Sequence, residues 1–360
     1  MVTGNNFISS ALVGLALAAL LGGAAYVIAS SPASVPRNGL RLAHAADAEP
    51  VFIMVEAGDN AAAIGQRLEA AQIIDSASSF QRLAKITGAE RNLAAGEYEF
   101  VPGTATLDAV MRIRDGLTSA RIVAVPEGMR LEEIGNLLER RGVVKAGDFL
   151  QAVNAIATQG TAIDADLLSS RPKAATLEGY TYPATYSFSR SVSPNEVVLT
   201  MMETLSDRLT PELRAEARAQ GLTVHEVLIL ASIVEREVVL PEERPLIAAV
   251  YRNRLKIDMP LQADPTVQYA IAARPGNIVE FGYWKRALSL QDLQFDSTYN
   301  TYTKRGLPPG PIANPGIDSI IAVIRPAPTK HLFFVARNDG SHAFSETFAE
   351  HQSFVEQYQP

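Results

Sequence analysis

The most apolar stretch of the chain lies at its amino-terminal end. Residues 7–29 are almost entirely apolar or small, and no charged side chain precedes Arg37. At about 1.5 Å per residue, a helix of this length crosses a hydrocarbon core of about 30 Å. Secretory signals have a shorter apolar region behind a basic segment, which is absent here, although the small residues at 29–31 would allow cleavage. We predict an uncleaved transmembrane anchor in residues 1–30, with a cleaved signal as the alternative.

A hydrophobic pattern then occurs twice, seventy residues apart. The copies begin at Val55 and Val125 and end at the paired apolar residues 73–74 and 143–144. Each copy predicts a strand, a glycine turn and a helix whose apolar residues lie three and four positions apart. The alternation in residues 96–101 predicts a further strand that closes the first copy.

These patterns divide the chain into parts. We predict a linker in residues 31–49, two small α/β modules in residues 50–153, a connector in residues 154–175 and a larger α+β domain in residues 176–360, so the fold class is α+β. The two modules resemble LysM-like domains, which bind the N-acetylglucosamine backbone of peptidoglycan or chitin. A packing role that spaces the larger domain from the membrane is the alternative.

One helix in the larger domain is predicted to be buried. Thr223 and Glu226 have the spacing of a capping box, in which each side chain binds the free backbone N–H of the other residue. From residue 227 to residue 234 the sequence is apolar except for Ser232. The helix is therefore expected in the core, ending before Pro241.

Two carboxylates lie near the end of this helix. Glu235 and Glu237 are two positions apart, so their side chains differ in direction by about 200° and only one can face a given cleft. A carboxyl at the end of an apolar helix is partly desolvated, which would raise its pKa and let it donate a proton near neutral pH. Two solvated charges at a helix end are the alternative, and periodicity alone does not choose between the two residues.

Several rigid polar loops in the same half of the chain suit a carbohydrate cleft. Their turns are fixed by proline and glycine, above all in residues 306–316. Aromatic rings stack on sugar faces and amides bind sugar hydroxyls, although turn chemistry alone would explain any single loop. One of these loop residues, Asp264, also suits a helix cap. The candidate substrate-binding or supporting residues are Glu178, Tyr180, Gln262, Asp264, Tyr299, Asn300, Thr301, Tyr302 and Asn314.

Composition excludes several other functions. The net charge is -7 and the chain has no block of lysine and arginine, which argues against a nucleic acid or an anionic membrane surface as the main ligand. Without cysteine, disulfides and thiolate catalysis are excluded. Neither an HExxH motif nor a carboxylate cluster with ligand spacing occurs, so we expect no metal and no cofactor. A G-x-S-x-G nucleophile elbow is also missing.

Long motifs in the second half resemble the endolytic murein transglycosylase family, also described as YceG-like. They occupy residues 231–237, 261–266, 299–302, 306–316, 331–335 and 340–345. The resemblance implies cleavage of the MurNAc–GlcNAc β-1,4 bond of peptidoglycan strands, which leaves a 1,6-anhydro-MurNAc end. It also implies that Glu237 is catalytic, first as acid on the leaving oxygen and then as base on the C6 hydroxyl, with Glu235 as a supporting charge.

The same resemblance implies a location and partners. We expect a single-pass protein of the cytoplasmic (inner) membrane with its catalytic domain on the periplasmic side, where the substrate lies. Arg37 and Arg41 follow the apolar span and would favour the opposite topology by the positive-inside rule. Expected partners are peptidoglycan glycan strands, the membrane through the N-terminal helix, and cell-wall synthases, with a role in ending nascent strands.

Two other hypotheses remain open from the sequence. A non-catalytic peptidoglycan-binding scaffold for wall synthases would need the anchor and the repeats but not Glu237. A hydrolytic muramidase would use Glu237 together with Asp264 and a water molecule.

Overall fold

The computed structural model describes residues 49–161, 163–274 and 276–359. The anchor predicted at residues 7–29 lies outside the described residues. Within those ranges no single helix has the length and apolarity of a membrane span. Only Pro211–Ala219 and Val224–Glu237, counted together across a 92° bend, reach that length and composition.

The first copy of the repeat folds into a β-α-α-β unit with its own small core. Its two strands are antiparallel, with Val51 opposite Phe100 and Val55 opposite Gly96. The helices pack closely because Gly65 has no side chain, since a Cβ there would lie 3.0 Å from the carbonyl oxygen of Ala77. The elements are β1 (Val51–Val55), α1 (Ala61–Ala70), α2 (Ala77–Ile86) and β2 (Gly96–Phe100), followed by α3 (Thr106–Arg114).

The second copy repeats this arrangement, but its closing strand lies far along the chain. This strand, Thr185–Phe188, pairs antiparallel with Arg121–Ala124. It lies beyond residue 153, where the sequence pattern ended. The reason is an insertion between the second helix and the closing strand, which includes a short helix of its own. The elements are β3 (Arg121–Ala124), α4 (Leu131–Arg140), α5 (Ala146–Gln159), the short α6 (Ala165–Leu168) and β4 (Thr185–Phe188).

A buried carboxylate joins the two units. Glu97 of β2 accepts hydrogen bonds from the hydroxyls of Ser189 and Ser191 at 2.8 and 3.0 Å, and from the backbone N–H of Arg190 at 2.8 Å. Burial opposes its charge, but these bonds outweigh that effect and lower the pKa of Glu97 below its usual range.

The larger part of the chain is organised around one buried helix. It is α9, Val224–Glu237, and it begins with the predicted capping box, in which the Thr223 hydroxyl accepts from the Glu226 N–H at 3.2 Å. Apart from Glu226, its residues through Val234 are buried, and the helices Arg244–Lys256, Asp264–Ala272 and Ile317–Ile324 pack around it. The helices of this part are α7 (Pro194–Arg208), α8 (Pro211–Ala219), α9, α10 (Arg244–Lys256), α11 (Asp264–Ala272), α12 (Asn277–Phe281) and α13 (Ile317–Ile324).

A hairpin and a last helix close the fold. Strands β5 (Phe333–Ala336) and β6 (His342–Ser345) are antiparallel, with Ala336 opposite His342, and α14 (Phe348–Tyr358) packs against both strands. Three two-stranded sheets and fourteen helices in the described residues make a mixed fold. The predicted α+β class is confirmed.

Candidate active site

Glu237 is the last residue of α9, where the helix leaves the core. One of its carboxylate oxygens, Oε1, accepts a hydrogen bond from the hydroxyl of Tyr251 at 2.8 Å. Tyr251 lies on α10 and is fully buried, so its hydroxyl holds the carboxyl in one place. Glu237 itself is half-buried because its side chain lines a pocket.

The surroundings of Glu237 raise its pKa to about 7. Burial of the carboxyl is the largest cause, because the charged form loses its hydration. The hydrogen bond from Tyr251 acts in the opposite direction, as does the positive charge of Arg254, while the negative charge of Asp264 raises the pKa further. Near neutral pH a substantial fraction of Glu237 is therefore protonated, as a residue that first donates a proton requires.

The pocket has a volume of about 410 Å³. Two carboxyls, an arginine and two amides lie beside aromatic rings on its walls, so the pocket offers both hydrogen-bonding groups and flat apolar surfaces. Its lining residues are Glu237, Arg254, Gln262, Asp264, Tyr302, Phe334, Val335, Ala336, His342, His351, Val355 and Gln359.

Three of the loop residues predicted from the sequence meet Glu237 in this pocket. They are Gln262, Asp264 and Tyr302. The hydroxyl of Tyr302 donates to Oδ1 of Asp264 at 2.5 Å. Asp264 is the first residue of α11 rather than its N-cap, and the N-cap, Ala263, makes no side-chain bond, so the capping role considered for Asp264 does not occur.

Buried threonines hold these pocket residues in position. The backbone N–H of Gln262 donates to the carbonyl of Thr301 at 3.1 Å, and the N–H of Ala263 donates to its hydroxyl at 3.0 Å. Thr266 and Thr301 share a further hydroxyl bond of 2.9 Å. Gln262 has a φ of 51°, a left-handed conformation that costs energy for a residue with a side chain. Thr301 thus supports the loop that carries Gln262 and Asp264 and does not line the pocket itself.

Glu235 faces away from this pocket, as helix geometry requires. Its Oε2 accepts from the Gly316 N–H at 3.0 Å and from the Ser319 hydroxyl at 2.7 Å, and Oε1 lies 3.5 Å from Arg244. The carboxylate therefore ties the end of α9 to the start of α13. These contacts are structural, and the supporting role of Glu235 in the reaction stays a prediction.

Three further candidates are buried and bind other parts of the protein. Glu178 accepts from the Leu131 N–H at 3.1 Å and from the Asn314 amide at 2.9 Å, and Asn314 in turn accepts from Thr181 at 2.8 Å. Tyr180 shares a hydrogen bond of 2.9 Å with His225. Burial, and next the charge of Glu132, raises the pKa of Glu178 to about 8. Its titration is thus perturbed as strongly as that of Glu237, yet none of these residues lines the pocket.

Tyr299 and Asn300 also have internal partners. The ring of Tyr299 packs against Tyr269 with centroids 4.8 Å apart. The Asn300 amide donates to the carbonyls of Leu293 and Phe295 at 3.0 and 2.7 Å. Both residues stabilise the loop that presents Tyr302.

Several pocket or contact residues were not among the sequence candidates. Tyr251 and Arg254 are three positions apart on α10, so they share one helix face, and this spacing beside a candidate acid was an available signal. Phe334, His342 and His351 come from the terminal hairpin and α14, which only the three-dimensional fold brings to the pocket.

The guanidinium of Arg254 braces one wall. Its Nε donates to the carbonyl of Leu332 and Nη1 to that of Leu261, both at 2.6 Å. It thus joins the hairpin to the loop before Gln262. In the part of the chain that the structure describes, no three His, Asp or Glu side chains are grouped as a metal site would need.

The protein has a mixed α+β fold and a polar and aromatic pocket with one accessible carboxyl of raised pKa. These features are typical of enzymes that carry out acid/base chemistry on a polar substrate. Similarity to known proteins identifies the family. The model of the YceG-like family matches residues 53–357. The chain belongs to the YceG-like family.

Relatives cover most of the chain. A Bacillus subtilis (strain 168) protein named endolytic murein transglycosylase is 32% identical over 317 residues, covering 86% of this chain and 84% of the relative. A protein of the same name from Streptococcus pneumoniae D39 is 31% identical over 308 residues, covering 79% of this chain but 54% of the relative. The crystal structure of a yceG-like protein from Listeria monocytogenes matches with a TM-score of 0.56 and 33% identity, over 85% of this chain and 99% of that one.

Proposed function

We propose that this protein is an endolytic murein transglycosylase. It cleaves the MurNAc–β-1,4–GlcNAc bond inside peptidoglycan glycan strands and leaves 1,6-anhydro-MurNAc ends. The names of the relatives from Bacillus subtilis and Streptococcus pneumoniae support this reaction. The observation in this chain that supports it best is the carboxyl of Glu237 in the pocket, whose pKa of about 7 lets it serve as acid and as base in turn.

The proposed mechanism needs one carboxyl rather than two. Protonated Glu237 donates its proton to the glycosidic oxygen as the C1–O bond of MurNAc breaks, and positive charge develops at C1. The ionised Glu237 then takes the proton of the C6 hydroxyl as that oxygen bonds to C1. Glu237 returns to its protonated form and no water is consumed. A hydrolytic glycosidase instead uses a second carboxylate as nucleophile or to activate water.

Asp264 is the observation that favours a second candidate. It lies in the same pocket as Glu237, so a hydrolytic muramidase with Asp264 as the second carboxylate is the competing function. In the transglycosylase, Asp264 has a different effect, since its charge raises the pKa of Glu237. Its hydrogen bond with Tyr302 also engages the carboxylate that hydrolysis would need free.

Digestion of purified sacculi in H₂¹⁸O separates the two reactions. The transglycosylase releases anhydro ends that carry no ¹⁸O, whereas a muramidase releases reducing ends that are one labelled water heavier. Cleavage within strands yields a ladder of long and short oligosaccharides early in the digestion, whereas cleavage from an end yields disaccharides from the start. Labelled reducing ends would contradict the proposed reaction, and a complete absence of products would favour the scaffold hypothesis.

We also propose that residues 7–29 anchor the protein in the cytoplasmic membrane, with residues 49–360 on the outer side, where peptidoglycan lies. The chain contains no cysteine, so a single Ile86→Cys substitution at an exposed position gives a clean reporter. A membrane-impermeant maleimide should label it in intact spheroplasts. Labelling that requires lysis would contradict this topology. Crosslinking to wall synthases in growing cells would test the proposed role in ending nascent strands.

The two β-α-α-β units are proposed to be LysM-like and to bind glycan. Phe52 and Met54 are exposed on the outer face of β1 and line a shallow pocket beside α1. A Phe52→Ala, Met54→Ala double variant should sediment less with sacculi than its parent. Equal sedimentation would leave the first unit as a spacer.

A further inference from the structure

One histidine that faces the pocket is hydrogen-bonded to a buried carboxylate. His342 is the first residue of β6, is 9% exposed and lines the pocket together with Glu237. The carboxylate of Glu243 binds it at two points. Its Oε2 lies 2.6 Å from Nδ1 of the ring, and its Oε1 accepts the backbone N–H of His342 at 2.9 Å. Glu243 is itself 8% exposed, so the pair is firmly fixed.

Aromatic contacts fix the plane of the His342 ring as well. The ring meets Phe334 edge to face, with centroids 5.3 Å apart and an interplanar angle of 89°. Phe334 makes a similar contact with Tyr251 at 6.0 Å and 87°, and Tyr251 holds Glu237. A continuous series of contacts therefore sets the position of His342 relative to the proposed acid.

These contacts leave one ring nitrogen for the pocket. A carboxylate can only accept hydrogen bonds, so Nδ1 carries the proton that it donates to Glu243, and Nε2 of the neutral ring is an acceptor. In the described residues Nε2 has no protein hydrogen-bond partner, and it is not among the enclosed polar atoms that lack one. Because His342 lines the pocket, this nitrogen is accessible to a molecule bound there.

We propose that His342, oriented by Glu243, contacts the glycan directly, and that its Nε2 accepts a hydrogen bond from a sugar hydroxyl or an acetamido N–H. This inference rests on the proposed function, because it takes a peptidoglycan glycan as the ligand of the pocket. In this role His342 recognises the bound substrate in the ground state and takes no part in the proton transfer by Glu237.

The test is binding of a GlcNAc–MurNAc tetrasaccharide by a Glu237→Gln parent, measured by calorimetry. His342→Asn places an amide near Nδ1, so the bond to Glu243 is kept and the nitrogen facing the pocket is lost. His342→Gln places an amide near Nε2 instead. We expect the Asn variant to bind about tenfold more weakly, the loss of one good hydrogen bond, and the Gln variant to recover part of that loss.

Matched variants separate direct contact from a structural effect. His331→Asn is the control, because His331 stacks on Phe344 outside the pocket lining and should leave affinity unchanged. In the cleaving enzyme, His342→Asn should raise KM about tenfold with a smaller change in kcat, as expected for a contact made equally in ground and transition states. Equal affinity and equal KM for the Asn variant and its parent would overturn the inference.

The remaining outcomes also decide the question. If His342→Asn does not fold, Glu243→Gln is measured in its place, and it should weaken tetrasaccharide binding several-fold because the ring loses the carboxylate that orients it; unchanged affinity there overturns the inference. If wild type forms no anhydro ends but binding still depends on His342, the proposed reaction fails and the contact stands. If wild type cleaves and His342→Asn behaves like it in both assays, only the contact fails.

Discussion

Removal of the Tyr251 hydroxyl should change the pH at which the enzyme works. The hydroxyl donates to Glu237 at 2.8 Å and opposes the effect of burial on its pKa, which is about 7 with this bond in place. A hydrogen bond to a charged acceptor contributes about 1.5 to 3 kcal/mol and one to a neutral acceptor about 1 kcal/mol. The difference, about 0.5 to 2 kcal/mol, corresponds near its middle to about one pKa unit. In Tyr251→Phe the pKa of Glu237 should therefore rise by about one unit.

The sign of the effect on activity follows from the role of Glu237 as acid. Only the protonated form can begin the reaction, so activity falls as pH rises through the pKa. At pH 8, about a tenth of Glu237 is protonated when its pKa is about 7, and about half when it is one unit higher. The alkaline limb of the pH–rate profile should thus move to higher pH in Tyr251→Phe. The plateau rate at lower pH should fall, because a weaker acid protonates the leaving oxygen less readily.

The assay is the initial rate of anhydro-end formation from sacculi between pH 5 and pH 9, at substrate concentrations well below KM. Thermal melting at each pH checks that the variant remains folded, since Tyr251 is fully buried. An alkaline limb that stays in place in Tyr251→Phe, whatever happens to the plateau, would refute the assignment of that limb to Glu237.

Three further predictions concern other carboxylates. Asp264→Asn removes a charge that raises the pKa of Glu237, so the alkaline limb should move to lower pH, and mass analysis should still find anhydro ends. Glu178→Ala should lower the free energy of unfolding by about 1 to 3 kcal/mol in urea because the Leu131 N–H and the Asn314 amide lose their acceptor, whereas Glu178→Gln keeps an acceptor and loses less. Glu97 has a lowered pKa, so the stability it provides is present above the usual glutamate pKa and is lost as pH falls. Glu97→Gln should therefore be less stable than wild type by about 1 to 3 kcal/mol at pH 7, with the gap closing in acid.

Each of these predictions has a contradicting result. Reducing ends in place of anhydro ends, or complete inactivity with the fold intact, would make Asp264 an essential second carboxylate. An unfolding midpoint of Glu178→Ala equal to that of wild type would show that the Glu178 bonds carry no stability. A gap between Glu97→Gln and wild type that is independent of pH would show that its ionisation is not linked to folding.

The sequence predicted best those features that depend on neighbouring residues. The helix Val224–Glu237 follows from an apolar run and a capping box, both local signals. The first strand and the first helix of each repeat were predicted for the same reason, because their signals are also local. The partner of β3 lies some sixty residues away at Thr185–Phe188, and strand pairing over such a separation leaves no trace in local periodicity.

The candidate site shows the same division. Gln262, Asp264 and Tyr302 line the pocket with Glu237, but Asn300 and Asn314 use their amides on the protein itself. The sequence signal was equal for both groups, because an amide in a rigid loop binds sugar or backbone with the same chemistry. His342 and Glu243 are ninety-nine positions apart, so only the folded chain reveals that they form a pair.

The most direct test of the account is the substitution Glu237→Gln, which preserves the size of the side chain and removes its proton exchange. Wild type, Glu237→Gln and Glu235→Gln are incubated with purified sacculi, and the muropeptides are separated and weighed by mass spectrometry. We predict abundant anhydro-MurNAc ends from wild type, a loss of at least about a hundredfold in Glu237→Gln, as for removal of a general acid or base, and retained cleavage in folded Glu235→Gln. Anhydro ends formed by Glu237→Gln at a rate near that of wild type would contradict it and leave Glu235 as the next candidate.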